Sequence, residues 1–335
     1  MRVNRRTATL VVVVIVVIAG VYAITWWQRT RETERLLDDL QVADHGVATK
    51  AMEGLRDRAS AISGRLRRTL REGGDRQRWR AAMLLGDAGG PQVRAALIEA
   101  LGDVCADVRL AAALSLGRLG ATGAADRIAV LATDADEEIA VRAGAVRTLE
   151  RLRAADYLGE VRQIAADRPD PPPPAPEDGT EEADEAEEAP SDDAAPLRRA
   201  AVHAVAVLGA AARAAGEPGL EGGPRPAEEA AAVLLASSLS ANEPNATVRQ
   251  AACYALADLA RLTADPQIEL QVVRALAAAL GGDEVADVRI AAAHSLRTVE
   301  MPPDAVEIAR RALDDAQFDD HYWVREVAME ATQGG

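Results

Sequence analysis

The chain has 335 residues, 49% of them hydrophobic but only 3% aromatic, with four Trp, four Tyr and one Phe. Alanine and leucine carry the apolar content, which suits packed helices and argues against a β-sandwich or barrel. The net charge of −15 makes a general nucleic-acid binder a poor fit, because phosphate contacts need clustered positive charge. Residues 167–196 hold twelve acids against one Arg, so most of that charge sits in one segment and the remainder is nearly balanced. Of 38 basic residues only Lys50 is a lysine.

A basic flank at 1–6, with Arg2, Arg5 and Arg6, precedes residues 7–27, a run of 21 positions without a charge. Its centre, 10–18, is nine consecutive Leu, Val and Ile. About 20 apolar residues cross a ~30 Å hydrocarbon core as a helix, so the spacing predicts a single transmembrane helix over 7–27. Trp26 and Trp27, then Arg29 and Arg31, stand where interfacial aromatics and a basic edge belong. Burial within a soluble protein would instead require protein around every side of 10–18. A cleaved export signal is the other alternative, with Val21 and Ala23 at the −3 and −1 positions of a cut after Ala23, releasing a soluble exported binding protein. Arginines are equal in number on the two sides. The compact basic start favours an inside N-terminus, with the chain in the inner cell membrane and its body extracytoplasmic. The reverse orientation leaves the body cytoplasmic.

From residue 30 onward one motif recurs. DVRLAAALSLGRLG at 107–120 compares with ATVRQAACYALADLA at 246–260 and ADVRIAAAHSLRTVE at 286–300. With its Arg as position zero, copies begin at Arg78, Arg109, Arg142, Arg198, Arg249, Arg289 and Arg325, after a degenerate copy with Ala48 in that place. Position +3 is alanine in all eight copies: Ala51, Ala81, Ala112, Ala145, Ala201, Ala252, Ala292 and Ala328. Position +7 is Leu or Val except Thr332, and −1 is Val or Leu except Gln77. At about 100° per residue these columns share one helix face, and the unvarying Ala predicts close helix-to-helix approach. Partner helices are expected at 91–101, 124–131, 154–166, 226–240, 266–280 and 303–313, several opened by Pro. Residues 29–42 would supply the first member. An array of helical hairpins follows.

The D-x-x-V-R-x-x-A-A-x-x-L pattern resembles HEAT-like repeats, in the short form also found in phycobilisome lyases, over roughly 30–335. The resemblance implies an all-α fold, an α-solenoid of about eight hairpins preceded by the transmembrane helix, in blocks at 30–166 and 197–335. It also implies a surface for protein partners. The enzymatic alternative is a HEAT-like lyase or hydroxylase, but no His is followed by Glu, so the His-Glu pairs of the di-iron hydroxylases are missing.

Two insertions interrupt the spacing. The stretch 167–196 has eight prolines and the acidic run EDGTEEADEAEEAPSDD, a composition that does not fold alone. It should loop out between the halves of one hairpin as a solvated spacer. The second, at 210–225, is Gly/Pro-rich and falls between hairpins. There is no HExxH, GxxxxGK[ST], CxxC or GxSxG, so no catalytic residue, cofactor, metal or small-molecule substrate is expected. Cys105 and Cys253 fall in different repeats, too far apart to bridge.

One surface stands out. Columns +1 and +5 lie away from the buried face and should form a ridge for a protein partner. It would have an apolar end of Trp79, Met83, Leu110 and Leu114; the alternative is that the preceding, degenerate copy covers Trp79 and Met83. A polar strip of Arg147, Arg199, His203, Tyr254 and His294 would continue the ridge. The Arg column should be structural, pairing with turn acids such as Asp107 or Asp287. Phe318, Tyr322 and Trp323 should cap the last hairpin.

Overall fold

The computed structural model describes residues 5–167, 192–215, 235, 239 and 243–333. Nearly all of the acidic insertion, the second insertion beyond 215, most of the helix expected at 226–240, and the start of the basic flank lie outside the described residues. All regular structure among the described residues is helical, an all-α repeat fold. It divides into two compact units, Met1–Ser115 and Leu116–Gly335.

The first unit holds α1 (Arg5–Asp39), α2 (His45–Arg56), α3 (Ser63–Glu72), α4 (Asp75–Ala88), α5 (Pro91–Ala100) and most of α6 (Ala106–Arg118). At 1.5 Å per residue the 35 residues of α1 run about 52 Å, and two stretches of it differ sharply. The C-terminal half packs on α2, with Thr33 and Leu37 buried and Leu40 buried just past its end, and ion pairs Arg58–Glu32 and Arg65–Glu34 at 3.0 and 3.1 Å tie it down. The buried Arg80 guanidinium then donates to the carbonyls of Leu40 and Val42, satisfying the chain just past the helix end. The stretch 14–18 is bare. Val14, Ile15, Val16, Val17 and Ile18 point in successive directions, yet each is 47–64% exposed. Among the described residues nothing in the unit covers 14–18, as burial inside the protein would require. No helix is long and apolar enough, among the described residues, to cross a membrane, so the span expected at 7–27 is not found there. The side chains of 5–13 lie outside the described set.

Helix α3 is absent from the partner helices expected above. Its only apolar residues are Leu66 and Leu70, one turn apart among four arginines, and both are buried against α4 and α5. The second unit comprises α7 (Ala125–Thr133), α8 (Ile139–Leu152), α9 (Leu158–Ala166), α10 (Ala195–Ala214), α11 (Ala246–Thr263), α12 (Pro266–Gly282), α13 (Ala286–Thr298), α14 (Pro303–Ala316) and α15 (Tyr322–Gln333). Helices α8, α10, α11, α13 and α15 pack in a row, each on the next, while α12 packs on α14. Helix α10 pairs with α9 as the two halves of one hairpin, and it continues to Ala214, through the first residues expected in the second insertion.

All eight alanines at +3 have 0% exposure. A methyl is the largest group that fits where two helices approach so closely, so each would resist a larger side chain. Position +7 is likewise buried except at half-buried Thr332, but Val47 at −1 of the first copy is exposed.

The Arg column forms a ladder. Arg78 donates Nε and Nη2 to both carboxylate oxygens of Asp103 at 2.9 and 2.8 Å, Arg249 to Asp283 at 2.8 and 3.0 Å, and Arg289 to Asp319 at 2.8 and 2.9 Å. Each acid stands six residues before the next copy's Arg and also accepts the backbone N–H two residues on. In turn, Nη1 of Arg109, Arg249, Arg289 and Arg325 donates to the backbone carbonyl six residues before itself. Each turn is thereby held by two consecutive arginines. Arg198 is 1% exposed and pairs with both Asp192 and the buried Glu243. Arg142 departs from the pattern and donates to the Ala132 carbonyl. The partners are thus Asp103, Asp283 and Asp319 rather than Asp107 or Asp287. Those two lie two residues before an Arg on the same helix, about 200° around it, and face solvent.

The terminal aromatics do not cap the array. Phe318 is 88% exposed, and Tyr322 and Trp323 pack edge-to-face at 5.1 Å while both remain exposed. Cys105 and Cys253 are free thiols.

Candidate partner-binding groove

Columns +1 and +5 take different environments in the two units. In the first, Trp79, Met83, Leu110 and Leu114 are all half-buried, so no exposed apolar patch forms. Arg80 lies 5.6 Å from the Trp79 ring centroid.

In the second unit Arg147, Arg199, Tyr254 and Glu330 of the same columns are exposed, while His203, Gln250, Ile290, His294 and Glu326 are half-buried and Ala143 is buried. Helices α8, α10 and α11 border a groove of about 460 Å³ lined by Arg147, Glu150, Arg199, His203, Gln250 and Tyr254. The spacing explains why these side chains converge. Arg199 and His203 are one turn apart on α10, as are Gln250 and Tyr254 on α11, and Arg147 and Glu150 are three apart on α8. Arg147, Arg199 and Tyr254 are exposed, Tyr254 at 41%. Four of the nine ridge residues therefore meet here. His294 does not; it contacts Arg297 at 3.3 Å, and Arg297 pairs with Glu330 at 3.0 Å.

His203 sits between two carboxylates, with Nδ1 3.3 Å from Glu150 Oε1 and Nε2 3.9 Å from Asp258 Oδ2. The hydrogen bond to Glu150 raises its pKa above the ordinary 6.5, and burial, which opposes the charge, is outweighed with help from the charges of Glu150 and Asp258. Burial also raises the Tyr254 phenol. Asp258 is held from its other side by Arg261 at 2.6 Å. The sequence did not mark Glu150 and Asp258. Each lies one turn beyond a marked residue, after Arg147 and Tyr254 respectively, and extending the columns by that step finds them. A larger groove, about 590 Å³, lies over the ladder pair Arg249–Asp283, whose charges already match each other. Among the described residues no cluster of three His, Cys, Asp or Glu is placed to hold a metal ion.

Residues 65–140 match the family model for HEAT repeats. The HEAT repeats so matched run from α3 to the start of α8, and the groove lies beyond them. No curated protein matches the sequence. Among solved structures, human deoxyhypusine hydroxylase in complex with glycerol is similar at 21% identity, covering 82% of this chain and 96% of its own, with a TM-score of 0.35. The CpcE–CpcF complex of phycocyanin lyase from Nostoc is similar at 19% identity, covering 90% and 94%, with a TM-score of 0.39.

Proposed function

We propose that this chain is a non-enzymatic scaffold that binds a protein partner, held at a membrane by residues 7–27. The groove carries the binding half of this reading. It is a contiguous surface of polar and aromatic side chains displayed on a rigid row of helices, and its charged groups are not consumed by the Arg ladder beneath. The bare stretch 14–18 of α1 supports the anchoring half, since consecutive Val and Ile residues left in water on all sides would be covered by lipid. Trp26 and Trp27 follow, and the Arg31 guanidinium lies 4.1 Å from the Trp27 centroid, a combination suited to an interface. We place the body outside the inner membrane.

Four experiments test this. A photo-crosslinking residue at Gln250 should trap a partner that the same group at exposed Arg310, on α14, does not; no difference overturns the groove as a contact. Carbonate extraction should leave the chain in the membrane fraction and release a variant lacking residues 1–27. Equal release overturns the anchor, and a mature N-terminus at Ile24 would show cleavage instead. Protease added to cells with an opened outer envelope should cut the body without inner-membrane lysis, and protection until lysis reverses the orientation. A purified chain carrying metal or chromophore would overturn the non-enzymatic reading.

A further inference from the structure

We propose that the α8–α10–α11 groove takes an acidic peptide segment of its partner, with carboxylates seated on Arg147 and Arg199. This rests on the scaffold reading above and names the chemistry of the partner. The argument is local charge. Arg147 and Arg199 are exposed, project from neighbouring helices into one groove, and make no ion pair with any described residue. Arg198, the residue before Arg199, shows the contrast, since it is fully consumed by Asp192 and Glu243 inside the fold.

The acids bordering the groove are already engaged. Glu150 faces His203, and Asp258 is shared between Arg261 and His203. What remains unmatched is two guanidiniums, a positive site on a chain of net charge −15. Guanidinium forks match carboxylates bidentately. The Gln250 amide and Tyr254 hydroxyl stand along the same groove to receive peptide backbone or a further side chain. A nucleic acid is the less suitable polyanion, because its continuous phosphate charge would meet a chain of net charge −15.

The test uses the full chain in detergent and a fluorescein-labelled peptide rich in Glu, read by anisotropy. The wild type should bind it, binding should weaken with added salt, and the Gln-for-Glu peptide should bind poorly. Arg147→Glu with Arg199→Glu should weaken binding by roughly tenfold or more while leaving the helical circular dichroism unchanged. The same variant should gain affinity for a Lys-rich peptide, an outcome a merely unfolded variant cannot give. Equal affinity of wild type and double variant for the acidic peptide overturns the proposal, as does preference for a single-stranded DNA of equal charge. The Gln250 crosslink separates the two levels. A specific crosslink without acidic-peptide binding sinks the acidic partner and spares the scaffold, whereas loss of both sinks both.

Discussion

The two units carry the same repeat and differ in what they do with its outer columns. In both, the +3 alanines are wholly buried and the Arg ladder fixes the turns. At +1 and +5 the first unit places Trp79, Met83, Leu110 and Leu114, half-covered, whereas the second places Arg147, Arg199, His203 and Tyr254 around an open groove. The inner columns are constrained by helix-to-helix distance and tolerate little variation. The outer columns are free of that constraint, so the first unit can half-cover apolar side chains there while the second leaves Arg147, Arg199 and Tyr254 exposed around a groove.

The largest way to break this contrast is from beneath. Arg198→Ala would remove the cation that pairs with half-buried Asp192 and fully buried Glu243. Removing one partner of a buried ion pair costs about 3–5 kcal/mol. A denaturant titration should show that loss, and a midpoint unchanged from wild type would mean the acids rearrange to water. A direct comparison of the columns comes next. Trp79→Ala should cost about 2 kcal/mol, roughly half of what truncating a wholly buried Trp gives, while Tyr254→Ala should stay within about 0.5 kcal/mol. Equal losses would erase the distinction between packing and display.

A smaller effect tests the ladder by pH. Burial alone would raise the Asp283 carboxyl, but hydrogen bonds from Arg249 and the Val285 N–H hold it below the ordinary 3.8. With the folded value depressed, its contribution is present above 3.8 and is lost as pH falls through the folded value. Asp283→Asn should cost about 1–2 kcal/mol at neutral pH and should flatten the acid limb of a stability–pH curve. An acid limb as steep as wild type would place that proton uptake elsewhere.

Much of this was legible in the sequence, for physical reasons that also explain the misses. The alanine column had to be buried because a small residue at a fixed helical step has no other common cause. The ladder's arginines were visible for the same reason, but their partners sit in turns, where helical phase gives no guidance, and Asp107 and Asp287 were chosen over Asp103 and Asp283. Helix α3 hides because two leucines among arginines give little periodic signal. Trp79 and Met83 were legible either as an exposed patch or as residues covered by the preceding copy, because one copy's helical wheel does not contain its neighbours; they are half-buried. Phe318, Tyr322 and Trp323 were expected to pack as a cap and instead stay in solvent.

The finest prediction joins the groove to the proton. His203 is faced by Glu150 and Arg147 from α8 and by Asp258 and Tyr254 from α11, with Arg199 on its own helix. Glu150 raises its pKa above 6.5, so the stabilising contact is fully present below 6.5 and is lost as pH rises through the folded value. A proton NMR titration should place the His203 midpoint above 6.5, and Glu150→Gln should lower it. Above that midpoint Glu150 no longer faces a protonated His203, and its charge is left to oppose an incoming carboxylate beside Arg147. Acidic-peptide affinity should therefore fall across the same interval in wild type, and His203→Gln should remove that step while leaving the salt dependence set by the two arginines. A pH step that persists in His203→Gln would assign the proton to another group and separate the histidine from the site.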